Sequence, residues 1–301
     1  MAKDKQYRSG FVSIIGRPNV GKSTLLNQMM GEKLSIVSDK PQTTRNRIQC
    51  ILSTEQGQAI FLDTPGIHKP QNQLGERMNQ YAIDTLSEVD LILYVVTAES
   101  PNVGAGDQRI QQLLSQTQTP IFLIINKKDL LSGEVHLEQM VKQYSKGLSI
   151  VRTFVISALQ GEDTQALLNE IFLHLPEGPQ YYPDDMIIDH PERFLAAELI
   201  REKALQLTRD EIPHSVAVDV ESMKEKEDMI IIEATLYVER ESQKGIVIGA
   251  KGTMLKEIGS LARTDLEKLL GSKVYLTLWV KARKDWRDSE GFLKQLGYRK
   301  E

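Results

Sequence analysis

Cysteine is almost absent from this 301-residue chain: Cys50 is the single one. It has no intrachain partner, so no internal disulfide can form, and within RIQCILS it reads as a half-buried strand residue rather than a nucleophile. Long apolar runs are missing too. Nothing approaches the roughly 18 residues of a membrane span, and FVSIIG, after the N-terminal MAKDKQYRSG, is too short for a signal-peptide core. The expected location is therefore the cytoplasm. An overall excess of positive charge is also lacking, since the net charge is −4, which taken alone argues against a nucleic-acid partner.

What is present is a soluble, two-domain composition, 41% hydrophobic and 26% charged. The charge is unevenly placed: residues 1–180 carry a net −1, residues 181–239 a net −9 and residues 240–300 a net +7. A basic segment of this kind points to a surface that faces a polyanion.

The first half alternates short β-branched runs (FVSIIG, RIQCILS, QAIFLDT, LILYVVT, PIFLIIN, VRTFVIS) with helix-length amphipathic stretches. That alternation predicts a doubly wound, mostly parallel α/β sheet covered on both faces. The amphipathic TQALLNEIFLHL closes it. In PEGPQYYPDDMIIDHPER, four prolines and a glycine interrupt any regular element, as a linker would. The expected division is residues 1–178, a linker at 179–190, and a smaller α+β unit at 191–301.

GRPNVGKS, residues 16–23, satisfies G-x-x-x-x-G-K-[ST], follows a predicted strand and opens a predicted helix. Backbone N–H groups can wrap phosphate oxygens only where side chains do not block them, and a helix N-terminus adds favourable partial charge. Gly16 and Gly21 permit that wrap, and Asn19, Val20, Lys22, Ser23 and Thr24 complete the cradle. Lys22 reaches the β- and γ-phosphates, and Ser23 coordinates Mg²⁺. In DTPG, Asp63 is placed to hold Mg²⁺ through water and the Gly66 N–H to sense the γ-phosphate, making this segment a mobile switch. DKPQTTRNR, residues 39–47, supplies the remaining hydroxyl from Thr43 or Thr44, with Thr44 preferred. Lys22, Thr44, Asp63 and Gly66 are thus the candidate catalytic residues.

The base is read by NKKD. The Asp129 carboxylate accepts from guanine's ring N–H and exocyclic amine, whereas adenine would leave it unpaired, at about 1–3 kcal/mol. Asn126 braces the loop, Lys127 lies along the base plane, and the Ala158 N–H, after Ser157 in SAL, is aimed at the guanine carbonyl. These motifs together resemble the translation-factor-like class of P-loop GTPases, over residues 11 to about 175. In many small GTPases a glutamine that orients the attacking water follows the DTPG-type motif; here the residue is Ile67, so intrinsic hydrolysis should be slow. The resemblance also implies that K⁺ can bind beside the phosphates near Asn19, acting like an arginine finger.

Gly249-Ala250-Lys251-Gly252 lacks the spacing and Lys-Ser pair of a second nucleotide loop. A bare G-x-x-G is common and alone reads as an ordinary helix–turn–helix. Its α-β-β-α-α-β setting, however, fits the type II KH topology, in which such a loop clamps a nucleic-acid backbone, and the +7 segment contains it. Lys244, Ile248, Lys256 and Arg263 join the four turn residues as candidate RNA contacts. GRPNVGKST, QTTR, DTPGIH, NKKD, SAL, REKALQLTRDEIPHSVAV and the KH-like tail resemble the bacterial Era family of GTPases nearly end to end. That resemblance implies GTP/GDP and Mg²⁺ as cofactors, binding of small-subunit ribosomal RNA near its 3′ end, a role in small-subunit assembly and rRNA maturation, peripheral association with the cell membrane, and action as a monomer.

Overall fold

The structure is a computed structural model and describes residues 7–38, 40, 43–131 and 137–298. Residues 39, 41 and 42 of the DKPQTTRNR segment lie outside the described residues. Two compact units emerge: residues 1–35, 44–70 and 78–189 form one, and residues 36–43, 71–77 and 190–301 the other.

All six runs read as strands form the sheet of the first unit: β1 (Arg8–Ile15), β2 (Ile48–Thr54), β3 (Gly57–Asp63), β4 (Leu91–Thr97), β5 (Ile121–Asn126) and β6 (Ile150–Val155). Their order is β2-β3-β1-β4-β5-β6. Only the hairpin-joined β2 and β3 pair antiparallel; every other neighbouring pair is parallel. β3, β4 and β5 are buried along their whole length, as strands covered on both faces must be. The crossovers are α1 (Lys22–Met30), α2 (Gln73–Asp84), α3 (Ala105–Leu114), α4 (Leu137–Tyr144) and α5 (Thr164–His174). The phosphate loop, the DTPG segment and NKKD all leave C-terminal ends of parallel strands, where such sheets bind ligands.

The proline-bearing stretch after α5 is not a free strap. Ser9 Oγ donates to the Pro179 carbonyl at 2.6 Å, the Tyr182 N–H donates to Gln58 Oε1 at 2.9 Å, and residues 187–189 run beside β2 through Ile51 N–H to Ile187 O (2.9 Å) and Asp189 N–H to Gln49 O (3.0 Å).

The second unit carries α6 (Glu192–Leu207), α7 (Ile212–Ser215), β7 (Ala217–Lys226), β8 (Met229–Val238), α8 (Glu241–Ile248), α9 (Thr253–Leu270), β9 (Lys273–Ala282) and α10 (Glu290–Gln295). Its three strands lie in the order β7-β8-β9, antiparallel then parallel. Ile258, Ala262 and Leu266 recur along one face of α9 and are fully buried against the sheet and α6. Four charged residues of α6 are buried as well. Arg201 pairs with Glu198 (2.6 Å) and donates to the Thr43 carbonyl; Glu202 accepts from the Val37 N–H (2.9 Å); Lys203 joins Glu202 (3.0 Å) to Asp265 on α9 (2.5 Å). Buried charges require such partners. At the C-terminal end Trp286 is fully buried, its Nε1–H bonded to the Ser215 carbonyl at 2.8 Å, with Phe292 of α10 edge-on to it.

Candidate nucleotide site and nucleic-acid groove

β1 ends at Ile15 and α1 starts at Lys22, so the intervening loop delivers its N–H groups at a helix N-terminus. Gly16 and Gly21 are needed for a reason beyond phosphate access. A Cβ on Gly16 would lie 2.3 Å from the Val95 carbonyl, and one on Gly21, at φ 94°, would lie 2.3 Å from Asn126 Nδ2. Asn19 also adopts a left-handed conformation, at φ 65°. Val20 is buried, and its carbonyl accepts from Asn126 Nδ2 at 2.9 Å, tying the phosphate loop to the base-reading loop. Lys22 is buried, its Nζ donating to the carbonyls of Gly16 (3.1 Å) and Arg17 (3.0 Å), and burial lowers its pKa to about 8 despite the attraction of Asp63. Thr24 follows half-buried in the first turn of α1.

Three predicted magnesium residues converge. The Ser23 hydroxyl lies 2.9 Å from Thr44 Oγ1 and donates to Asp63 Oδ2 at 3.0 Å. The Thr43 hydroxyl is engaged elsewhere, donating to the Lys40 carbonyl at 2.6 Å. Asp63 is fully buried, and burial raises its pKa against the opposing pull of Ser35, Lys22, Ser23 and the Thr64 backbone. Asp63 Oδ1 has no hydrogen-bond partner among the described residues. A buried carboxylate oxygen so oriented beside two hydroxyls suits a hard divalent cation that takes oxygen ligands. The sequence reading missed Ser35, which donates to Asp63 Oδ2 at 2.7 Å while 1% exposed. It lies outside every motif, so no local signal marked it.

Gly66 packs against the crest of the phosphate loop, where a Cβ would come within 2.6 Å of the Pro18 nitrogen. Ile67 is 2% exposed and belongs to the apolar core, its N–H donating to the Gly16 carbonyl at 3.3 Å. Its side chain therefore orients no water.

At the base-reading end, Asn126 spans two loops: its amide bonds Val20, and its Oδ1 accepts from the Ala158 N–H at 2.9 Å. The Ala158 N–H, expected at the guanine carbonyl, donates in this structure to Asn126 and so lies at the base-reading end of the site. Asp129 Oδ1 accepts from Ser157 Oγ, which orients the carboxylate. Lys127, at φ 64°, is held by Glu99 through a 2.5 Å contact. Glu99 also escaped the sequence reading; the hydrogen bond from Lys127, more than that from Thr97, lowers its pKa.

In the second unit, α8 runs into Gly249 (φ 74°), a single tight turn over Ala250–Gly252, and α9. A Cβ on Gly249 would collide with Met254 Cβ at 2.7 Å, whereas Gly252, at φ 82°, faces open space. Lys251 holds φ 53°. Gly252, Lys256 and Arg263 line a groove of about 460 Å³ with Leu255, Leu278 and Tyr275, the last 61% exposed. Ile248 instead packs on the apolar core, and Lys244 lies on α8, 3.9 Å from Glu241; neither lines this groove.

A phosphate loop, a hydroxyl–carboxylate cluster suited to a metal and an asparagine-braced NKxD loop on one mostly parallel sheet, followed by a unit with the KH order of elements, define a P-loop GTPase fused to a KH domain. The 50S ribosome-binding GTPase family matches residues 11–127 and the KH domain family residues 211–287. GTPase Era of Carboxydothermus hydrogenoformans and of Staphylococcus haemolyticus are each 52% identical over 97% of this chain and 98% of their own. A single-substitution variant of Aquifex aeolicus Era bound to GDP·AlF4⁻ superposes with a TM-score of 0.92 at 41% identity, covering 97% of this chain and 99% of that one. Era in complex with MgGDPNP and nucleotides 1506–1542 of 16S ribosomal RNA superposes at 0.93, with the same identity and coverage. The chain belongs to the Era GTPase family.

Proposed function

We propose that this GTPase is a switch that binds small-subunit ribosomal RNA near its 3′ end through its KH domain and assists assembly of the small subunit and maturation of its RNA. One observation carries the reading: the relative that superposes at 0.93 over 97% of this chain holds MgGDPNP and a 16S ribosomal RNA segment together. The exposed Tyr275, Lys256 and Arg263 around the Gly252 groove support it, since stacking faces and cations are what unpaired bases and phosphates require.

In this reading residues 1–178 are the GTPase domain, 179–190 the connection and 191–301 the KH domain. Ser23 and Thr44 would hold Mg²⁺ directly and Asp63 through water, and the ion would neutralise phosphate charge there. Lys22 holds the β- and γ-phosphates, and the Gly66 N–H reports the γ-phosphate. Asn126, Lys127, Asp129, Ser157 and Ala158 select guanine. Ile67, committed to the core, leaves water orientation to another group, and hydrolysis is slow on its own; Asn19 would hold K⁺ beside the phosphates, where the ion would supply charge to the transition state. Gly249 to Gly252, Lys256 and Arg263 take the RNA backbone, with Lys244 and Ile248 flanking.

Coupling between nucleotide and RNA is supported by the second unit itself. Val37 and Thr43 belong to it, held by Glu202 and Arg201, and Thr43 is followed directly by Thr44. A nucleotide that repositions Thr44 strains these buried bonds, the differential contact that coupling demands. The protein works as a monomer in the cytoplasm, with peripheral association at the membrane; among the described residues no helix is long and apolar enough to cross one.

The test is the affinity of the full chain for the 3′-terminal segment of small-subunit rRNA and for a scrambled RNA, each with a GTP analogue and with GDP. The reading expects preference for the ribosomal segment and a difference of at least fivefold between nucleotides. Equal affinities throughout would sink it.

A further inference from the structure

The second residue of the phosphate loop makes a contact that neither phosphate nor guanine recognition explains. Arg17 Nε lies 2.8 Å from Asp107 Oδ1, and the Asp107 side chain is 1% exposed. Asp107 sits in the first turn of α3, where its other oxygen accepts from the Gly104 N–H at 3.2 Å. The preceding loop is fixed in turn by the Tyr144 hydroxyl, which donates to the Ser100 (2.9 Å) and Asn102 (3.2 Å) carbonyls. Gly106 makes room for the arginine stem, since a Cβ there would lie 2.9 Å from Arg17 Cδ.

The Asp107 carboxylate is buried while the Arg17 side chain is 29% exposed, and such an ion pair adds little net stability, so its position at a phosphate loop is informative. Pro18, next in the chain, has no N–H to anchor it. Its nitrogen is the atom that a Cβ on Gly66 would meet, and the Gly16 carbonyl accepts from Ile67. The Arg17-Pro18 crest is thus clamped between a fixed carboxylate on α3 and the segment that reports the γ-phosphate.

We propose that Arg17 is a positioning residue for GTP hydrolysis: through Asp107 it sets the crest of the phosphate loop against Gly66, and so the placement of the γ-phosphate. This rests on the GTPase assignment, but it makes a separate claim about which step suffers. GDP would rest on the amides at the α1 end of the loop, away from the crest, so its binding should be spared.

Full-length R17A, R17K, D107N and G106A would be compared by single-turnover GTP hydrolysis and by equilibrium binding of a fluorescent GDP. R17A and D107N should each slow hydrolysis at least tenfold with the GDP Kd within threefold of the parent. R17K, which keeps the charge, should recover part of the rate, and the R17A/D107N pair should be no slower than R17A alone. A Kd that rises in step with the loss of rate, an unchanged rate, or additive losses in the pair would overturn the proposal. Where R17A fails to fold, R17K and G106A decide by the same measures, and an unchanged rate in both overturns it. Absence of any hydrolysis in the parent would instead refute the GTPase assignment.

Discussion

Lys22 offers the sharpest quantitative test. Its ammonium is buried against two neutral carbonyls, and its pKa falls from 10.5 to about 8. A depression of that size means the fold holds the charged lysine at a cost of about 3 kcal/mol. The sign follows from linkage. Below pH 8 the amine is charged in both folded and unfolded chains and the penalty is present in full; between about 8 and 10.5 the unfolded chain binds more protons, so stability rises with pH. Nucleotide phosphate reverses this, because it favours the charged amine. Without magnesium, GDP binding should therefore take up close to half a proton at pH 8, and its Kd should weaken about fourfold between pH 7 and 8.5. Calorimetry in buffers of different ionisation enthalpy measures the uptake directly. Lys22→Arg keeps its charge throughout this range and should give a flat Kd. A flat Kd and no proton uptake in the parent protein would refute the reasoning.

Asp129→Asn should weaken GTP by about 2–4 kcal/mol and favour xanthine nucleotides, which present an acceptor where guanine presents its amine; competition binding checks it. Gly252→Asp puts a carboxylate at the groove and a side chain at φ 82°, and should lower RNA affinity at least tenfold with the GTP hydrolysis rate within twofold, read by filter binding and phosphate release. Ser35→Ala removes a buried hydrogen bond to Asp63 and should cost about 1.5–3 kcal/mol of stability at pH 7 in denaturant titration. Replacing K⁺ by Na⁺ should slow single-turnover hydrolysis at least tenfold; equal rates would remove the cation from the scheme.

β3, β4 and β5 were legible because their burial is written as continuous apolar runs, and the nucleotide motifs because each needs fixed spacing at a strand end. α4 was overlooked: LEQMVKQY buries only Met140 and Tyr144. The six-residue α10 was too short for any periodic signal. Ser35 and Glu99 act on Asp63 and Lys127 through folding, and a serine in KLSIV or a glutamate in TAES carries no mark of that. α6 shows the opposite limit. Glu198, Arg201, Glu202 and Lys203 suggest a solvent-facing stripe, yet all four are buried, because their partners come from residues 37, 43 and 265 as well as from one another.

The run of chain at residues 187–189 bears on how the molecule keeps to itself. β2 lies at the margin of its sheet, and an unclaimed strand margin is a template on which another polypeptide can zip. By lending its own backbone to Gln49 and Ile51, the segment occupies that template from within. Peeling it away would bare a row of amides and carbonyls to self-association, so tethering it is a form of colloidal protection as well as a route from one unit to the next.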